Sequence, residues 1–294
     1  MAAVDSFSLL YREIARSCSF YYETLALVGV LYTASKAVAL LRNCCSLVRV
    51  HFLPRIFTNK KLSHRFGDWA VIYGKDQSPV ALAYAEELAR QGVTYGVETV
   101  VILADFSKDQ SALKLIQEVI RDKDIGFLVN CVEEALTQPQ NLMEVNEESL
   151  MGAVNKNTTV MTLMTRLVLP GMLQRSRGAV VNITTGACCK PLPGRVMLTA
   201  SMGYLDHFSR ALYLEYSSKG IFIQSLTPFQ IASTRRNLKE GLFVPKPQVY
   251  AQHAISTLGV SNRTTGYWPH TLQYGLIRCI PDWIWILGSR LFIS

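Results

Sequence analysis

Short, almost continuously apolar runs recur from residue 69 onward and alternate with segments of helical character. Strands are predicted over residues 69–74, 99–104, 126–130, 179–184 and 221–226. Helices are predicted over residues 80–91 and 205–218, and each is followed by a glycine, which favours helix termination. Strands without polar alternation, separated by helices, are typical of a parallel sheet with both faces covered. The pattern therefore predicts an α/β fold with a doubly wound parallel sheet.

A further apolar run lies near the N-terminus. Residues 25–41 read LALVGVLYTASKAVALL, with Lys36 inside the run. A spanning helix needs about 20 apolar residues, so this segment is borderline for crossing a bilayer. A helix lying in the membrane surface and a helix buried in the protein remain as alternatives. The flanks lack the pattern of a cleaved signal peptide, which is therefore not favoured.

Positive charge is concentrated after this run. The chain has a formal net charge of +8, and no acidic residue lies between positions 42 and 65. The basic residues there are Arg42, Arg49, Arg55, Lys60, Lys61 and Arg65. We expect a membrane contact in which this segment faces anionic lipid, and a solvated linker is the alternative. If the apolar run spans a membrane, the basic flank places the rest of the protein on the cytosolic or an equivalent side. No motif or aromatic-interleaved basic run indicates a nucleic-acid partner.

The C-terminal segment is rich in aromatic residues. Residues 275–294 contain IPDWIWIL, in which two tryptophans stand among aliphatic residues. This composition suits a membrane interface and equally suits packing on the core. We expect three regions: an anchor with a basic linker over residues 1–66, the α/β domain over 67–261 and an aromatic tail over 262–294.

Cysteine and histidine usage argues against a metal site. The seven cysteines stand at positions 18, 44, 45, 131, 188, 189 and 279, and none forms a C-x-x-C pair. The five histidines are scattered as well. This pattern predicts reduced thiols in a reducing compartment and no bound metal.

Several short segments give the chain a family resemblance. They are 83–89 (AYAEELA), 104–107 (ADFS), 128–130 (LVN), 188–191 (CCKP), 204–212 (YLDHFSRAL), 219–222 (KGIF) and 264–268 (TTGYW). Over residues 67–261 the chain resembles the short-chain dehydrogenase/reductase family, in particular its membrane-attached 17β-hydroxysteroid dehydrogenases and 3-ketoacyl reductases. The resemblance implies a Rossmann-like fold, NADP as the family cofactor, and a mitochondrial or an endoplasmic reticulum location.

The phosphate-binding loop departs from the family pattern. The family has T-G-x-x-x-G-x-G after the first strand, where glycines let the backbone approach the pyrophosphate at a helix N-terminus. Here residues 73–80 read YGKDQSPV, so Gly74 matches the first glycine and the other two are absent. Only residues 93–98 separate the helix stop from the next strand, which is too few for the strand and helix that carry the ribose-selecting residue. One β-α unit is therefore expected to be missing.

Other cofactor positions survive only in part. Asp105 matches the adenine-contacting aspartate of the family, and Asn130 matches the first residue of its N-N-A-G motif. Glu133 replaces the glycine of that motif, and an anion there opposes pyrophosphate binding. Phe229 replaces the glycine of the family's P-G turn. We therefore expect no bound cofactor, with Gly74, Asp105 and Asn130 as remnants of the site.

The family's catalytic set is Asn, Ser, Tyr and Lys, and the resemblance maps it onto Asn155, Thr185, Leu198 and Met202. In the family, Tyr donates a proton to the substrate carbonyl, and Lys four residues later lowers the tyrosine pKa. Leu198 and Met202 can do neither. General acid catalysis contributes about 10²- to 10⁴-fold to a rate.

Four other residues offer no substitute for the missing proton donor. Tyr204 has Phe208 four residues later, and it points away from the face of Leu198. Neither His207 nor the cysteine pair at 188 and 189 has a partner in the sequence that would activate it. The catalytic set is therefore interpreted as not intact.

Two functions follow from the resemblance. The first is a catalytically inactive member of the family that acts as a membrane-associated binding or regulatory protein. It would form a homodimer, or pair with a related protein, through the helix from Tyr204 to Ser218. The alternative is an NADP-dependent oxidoreductase of steroids or 3-ketoacyl lipids with residual or atypical activity. A decaying copy without function is a third possibility.

Overall fold

The computed structural model describes residues 2–57, 62–74, 78–92, 111–131, 141–233 and 238–291. The chain divides into two compact units, Met1–Arg49 and Val50–Ser294. The second unit contains the whole α/β sheet together with the C-terminal helices.

A single long helix, α1 (Ala2–His51), dominates the first unit. It is much longer than the apolar run at residues 25–41. The stretch Ser8–Ile56 contains an 18-residue window of mean hydropathy 1.7, so it is long and apolar enough to cross a membrane, and none of that window is buried inside the structure. Leu25, Leu31 and Leu40 are each more than 60% exposed. This exposure does not support the alternative of a buried N-terminal helix.

Within the described ranges, five strands form one parallel sheet. They are β1 (Trp69–Tyr73), β2 (Ile125–Cys131), β3 (Gly178–Ile183), β4 (Ile221–Leu226) and β5 (Arg263–Thr264), in the order β1-β2-β3-β4-β5. The first four confirm the predicted strands to within one residue at either end. The two-residue β5 consists of Arg263 and Thr264 and contains no apolar residue from which a strand could be predicted. The strand predicted over residues 99–104 lies outside the described residues.

Helices flank the sheet and account for most of the remaining described chain. They are α2 (Leu53–Phe57), α3 (Leu62–Phe66), α4 (Pro79–Arg90), α5 (Ser111–Ile120), α6 (Glu147–Val154), α7 (Val160–Gln174), α8 (Val196–Tyr216), α9 (Pro247–Ser256), α10 (Trp268–Cys279) and α11 (Asp282–Leu291). A π-helical turn, Asn155–Thr159, joins α6 to α7. The helix predicted over residues 205–218 begins nine residues earlier than expected, at Val196, and the chain turns at Gly220 with a φ of +82°.

The core has two layers, one on each face of the sheet. Alternating strand residues such as Phe127 and Val129 pack against α3, α4 and α9. Their neighbours, such as Leu128 and Val180, pack against α5 and α7 and against part of α8. Because side chains alternate between the faces of a strand, fully apolar strands require a covering on both sides. The doubly wound α/β architecture is thereby confirmed.

Helix α11 of the aromatic tail makes two polar contacts with the α/β domain and leaves much apolar surface exposed. The indole Nε1 of Trp285 donates a hydrogen bond to the carbonyl of Pro191 at 2.8 Å, and Asp282 pairs with Lys190. Trp283 and Leu287 in α11 are 69% and 62% exposed. Helix α11 therefore packs on the α/β domain through Trp285 and Asp282, whereas Trp283 is exposed.

Candidate functional site

The N-terminus of α4 is where the resemblance places the cofactor pyrophosphate. The hydroxyl of Ser78 accepts a hydrogen bond from the backbone N–H of Ala81 at 3.2 Å, and Ser78 is only 3% exposed. Pro79 at the first helical position has no N–H to offer. A helix N-terminus binds phosphate through free N–H groups. Here the chain's own side chain caps the helix and takes one of those donors.

Gly74 lies directly after β1 and close to this cap. A Cβ at Gly74 would stand 3.0 Å from the Cβ of Ala81, which is a tight contact. The glycine therefore allows α4 to pack close to the end of β1. Residues 75–77 of the loop lie outside the described residues, as do Asp105 and Glu133.

Asn130 lies in the interior of the sheet and is fully buried. Its side-chain N–H donates to Oδ1 of Asn182 at 2.8 Å, and Asn182 in turn donates to the hydroxyl of Ser209 at 2.8 Å. This chain of hydrogen bonds ties β2 to β3 and β3 to α8. The amide of Asn130 thus holds elements of the fold together, a role that the sequence did not indicate because Asn182 and Ser209 lie far along the chain.

The two lost catalytic positions form part of an apolar cluster. Met202 is fully buried with Met161 of α7 and Leu205 of α8, and the partly buried Leu198 and Tyr73 pack against them. Burial also raises the pKa of Tyr73. In the family a lysine ammonium must stand at position 202, in contact with polar partners. Here the position is closed to water and surrounded by carbon and sulfur atoms.

The remaining two family positions are polar and partly exposed. Asn155 is the first residue of the π-helical turn, and its Oδ1 accepts a hydrogen bond from the hydroxyl of Thr159 at 3.3 Å. Thr185 follows β3 by two residues and is partly exposed. These side chains can bind polar groups, but neither titrates near neutral pH. The set cannot supply a proton through a tyrosine-lysine pair.

Phe229 lies over the backbone next to Thr185. A Cβ at Gly186 would stand 2.8 Å from ring atom Cε1 of Phe229, so the ring occupies the space directly over that glycine. The backbone N–H of Phe229 donates to Nδ1 of His270 at 3.3 Å, which leaves Nε2 to donate to the carbonyl of Phe243. Burial lowers the pKa of His270 to about 4. This imidazole is therefore neutral at physiological pH and fixes the loop that carries Phe229.

The described residues do not fit a nicotinamide dinucleotide. The helix N-terminus is capped internally, position 202 is buried among apolar side chains, and an aromatic ring covers Gly186. Nor do the described residues contain a group of three or more His, Cys, Asp and Glu side chains that could hold a metal ion. The sequence could have indicated the Ser78 cap, because Ser before Pro is a common helix start. It gave no sign that Met161 would contact Met202.

Sequence comparisons place the chain among known proteins. Residues 68–240 match the family model described as short chain dehydrogenase. The protein named inactive hydroxysteroid dehydrogenase-like protein 1 is 50% identical in Danio rerio, with 99% of each chain covered. The Homo sapiens protein of that name is 45% identical over 99% of this chain and 96% of its own. Very-long-chain 3-oxoacyl-CoA reductase of Mus musculus is 32% identical over 87% of this chain and 90% of its own.

The alignment with the Danio rerio relative also shows a difference in length. It spans 319 positions, whereas this chain has 294 residues. Roughly 25 positions of the relative therefore have no counterpart here, which is about the size of one strand and one helix with their connections. The deficit agrees in size with the β-α unit that was expected to be missing. That segment of this chain lies outside the described residues.

Solved structures show the same fold at low sequence identity. A structure described in a study of 7beta-hydroxysteroid dehydrogenase stereoselectivity matches with a TM-score of 0.68 and 19% identity, covering 78% of this chain and 99% of its own. A short-chain dehydrogenase from Sphingobium yanoikuyae in complex with NADPH matches with a TM-score of 0.56 and 21% identity, covering 72% of this chain and 96% of its own. The fold, the family match and the full-length relatives agree: the chain belongs to the short-chain dehydrogenase family.

Proposed function

We propose that this chain is a catalytically inactive short-chain dehydrogenase that acts by binding, as a membrane-associated scaffold or regulator. The observation that carries the proposal is the burial of Met202 in an apolar cluster with Leu198, at the two positions where the family needs an ammonium and a phenol. The relatives at 45% to 50% identity are named inactive, which gives independent support.

The proposal includes the loss of NADP binding. Binding of a dinucleotide phosphate needs free backbone N–H groups and space for the sugar and ring. Ser78 caps the helix that would supply the N–H groups, and the ring of Phe229 lies over Gly186. Each feature weakens binding separately, and together they remove both ends of the cofactor site.

Cofactor titration is the direct test. NADPH and NADH are titrated into the full chain in detergent, with binding followed by calorimetry and by nicotinamide fluorescence. An active short-chain dehydrogenase that binds NADPH is the positive control in the same detergent. We expect no heat and no fluorescence change up to millimolar cofactor. Micromolar binding to this chain would overturn the loss of the cofactor site.

We further propose that α8 pairs with a second copy of this chain or with a related protein. Tyr204, Ala211 and Glu215 lie on one exposed face of this helix. The hydroxyl of Tyr204 forms a hydrogen bond with that of Thr162 at 2.9 Å, so α7 and α8 together present a continuous two-helix surface.

The pairing is tested with Ala211→Arg, which places a charge in the middle of that face. Glu86→Arg on α4 is the matched control, since it introduces the same residue on an exposed helix elsewhere. Light scattering in detergent should show a dimer for the wild type and the control and a monomer for Ala211→Arg. A monomer in all three proteins would contradict a homodimer and leave only a heterologous partner, which co-purification with a related dehydrogenase would then have to demonstrate.

Membrane attachment and location complete the proposal. The apolar stretch within Ser8–Ile56, followed by a basic flank, supports an anchor that keeps the α/β domain on the cytosolic or an equivalent side. The mitochondrion is the proposed compartment, and the endoplasmic reticulum membrane is the alternative. Carbonate extraction of isolated organelles tests attachment, and protease protection of the α/β domain tests its side.

A reductase of steroids or 3-ketoacyl lipids with atypical activity is the second candidate. Two observations favour it: the polar side chains of Asn155 and Thr185 are retained, and a relative at 32% identity is named very-long-chain 3-oxoacyl-CoA reductase. The double variant Leu198→Tyr with Met202→Lys separates the candidates. We expect no ketone reduction with NADPH, because the cofactor site is also lost. Reduction of a steroid or 3-ketoacyl substrate by this variant would favour the second candidate.

A further inference from the structure

A cavity of about 290 Å³ lies between α8, α10 and the start of β5, and neither Leu198 nor Met202 lines it. The charged and polar side chains that line it are Asp206, His207, Arg210, Arg263, Tyr274 and Arg278. Three of these are guanidinium groups, and one is a carboxylate. The guanidinium and carboxylate groups of the walls therefore carry a net charge of +2.

The single carboxylate is fully engaged. Asp206 accepts hydrogen bonds from Nε of Arg263 at 2.9 and 3.1 Å and from the hydroxyl of Ser225 at 2.7 Å, and its side chain is 8% exposed. Arg263 also donates to the hydroxyl of Tyr274 at 3.0 Å. This network fixes one wall of the cavity. Both carboxylate oxygens of Asp206 accept hydrogen bonds from Arg263, and among the described residues no ion pair joins Asp206 to Arg210 or Arg278.

Arg210 and Arg278 have no ion-pair partner within the part of the chain that the structure describes. Both side chains are exposed and reach the same concave surface from α8 and α10. Like charges that converge on one cavity repel each other, and a bound anion removes that repulsion. A guanidinium binds phosphate oxygens through paired N–H groups, which makes arginine the preferred residue for this group.

We propose that this cavity binds a phosphate group, with Arg210 and Arg278 as its ligands and the Asp206–Arg263–Tyr274 network as its rigid support. A phosphate dianion matches the net charge of the walls, whereas a single carboxylate neutralises only half of it. Neither Gly74 nor Asn130 lines the cavity, so the site is distinct from the family's cofactor site. The inference holds whether or not the chain retains any catalytic activity.

The phosphate group can belong to a soluble phosphomonoester or to a phospholipid headgroup. Neither exposed apolar residue on the neighbouring helices, Leu276 of α10 or Trp283 of α11, lines the cavity. The lining therefore favours neither source, and a separate titration has to distinguish them.

The test uses the full chain in detergent and inorganic phosphate as the probe, with binding measured by calorimetry. The double variant Arg210→Gln with Arg278→Gln should bind phosphate at least about tenfold more weakly, because both charge-assisted ligands of the phosphate are lost. Arg166→Gln on α7 removes the same charge from an exposed helix outside the cavity and should bind like the wild type. Equal affinity in the wild type and the double variant, or no measurable binding to the wild type, overturns the proposal.

A second titration distinguishes the two sources of the phosphate. Short-chain phosphatidic acid is used below its micelle concentration, so that the long apolar helix α1 does not dominate the result. Tighter binding of this lipid than of inorganic phosphate, lost in the double variant, assigns a headgroup. Equal affinities for both probes, again lost in the double variant, assign a soluble phosphomonoester. Lipid binding that survives in the double variant is adsorption to another surface and counts against the cavity.

Discussion

Restoring the family lysine at position 202 tests whether water is excluded from this part of the catalytic region. Met202 is fully buried, and its neighbours Met161 and Leu205 are at most 1% exposed. A lysine of ordinary pKa about 10.4 must lose its proton to remain in such surroundings at pH 7. The pKa of about 10.4 lies about 3.4 units above pH 7, and each unit corresponds to about 1.36 kcal/mol. Deprotonating the lysine at pH 7 therefore costs roughly 4.6 kcal/mol. Met202→Lys should therefore lower the free energy of unfolding by about 4–5 kcal/mol at pH 7.

The same substitution should be far milder in alkali. At pH 10 the proton is lost at a cost of only about 0.5 kcal/mol, so most of the destabilisation should disappear. Met202→Leu keeps the volume and should reduce stability by less than about 1.5 kcal/mol at both pH values. Met151→Lys makes the same change on α6, where the side chain is 57% exposed, and should alter stability by less than about 0.5 kcal/mol.

Urea unfolding of the full chain in detergent measures these differences. All four tryptophans, at positions 69, 268, 283 and 285, lie in the second unit, so their fluorescence reports on the α/β domain rather than on α1. Each variant is compared with the wild type at the same pH. If Met202→Lys is within 1 kcal/mol of the wild type at pH 7, water reaches position 202 and the closed apolar cluster is wrong.

Three further changes probe the rest of the site. Ser78→Ala removes the cap of α4 and should lower the free energy of unfolding by about 0.5–2 kcal/mol in the same urea assay, whereas an unchanged midpoint would show that the cap is dispensable. His270 has a folded-state pKa of about 4, below its ordinary 6.5, so its contribution to stability is complete above pH 6.5 and is lost as the pH falls toward 4. The wild type should lose about 2 kcal/mol more than His270→Gln between pH 7.5 and pH 5, and parallel pH profiles for the two proteins would contradict this. Gly186→Ala places a methyl group 2.8 Å from the ring of Phe229 and should destabilise the chain by about 1–3 kcal/mol, with Phe229→Ala relieving the effect in the double variant; additive losses would show that the two residues do not touch.

The regular elements were predictable because their signals are local. Uninterrupted apolar runs mark β1 to β4, and the spacing of apolar residues with a following glycine marks α4 and α8. The two-residue strand β5 has no such local signal, because only its pairing with β4 makes it a strand. The predicted start of α8 is late because Arg195, the residue that precedes the helix, does not cap it with its side chain.

The candidate site was predictable residue by residue but not as an arrangement. The alignment of motifs located Leu198 and Met202, yet only the fold brings Met161 from another helix to cover them. Replacement of glycine by Phe229 was visible in the sequence, whereas the position of its ring over Gly186 depends on the turn held by His270. The cavity with Arg210 and Arg278 combines several distant segments, and no local pattern joins them.

The serine cap of α4 has a consequence for how the protein is maintained in the cell. A dehydrogenase that holds its dinucleotide gains folding stability from it, about 2.7 kcal/mol when the cofactor is at a hundred times its dissociation constant. Under the proposed loss of the cofactor site, a helix end capped by Ser78 gains nothing from that source. The cellular amount of this protein should then not depend on the concentration of nicotinamide dinucleotides. The amount of an active relative, which the bound cofactor stabilises, should fall when that concentration falls.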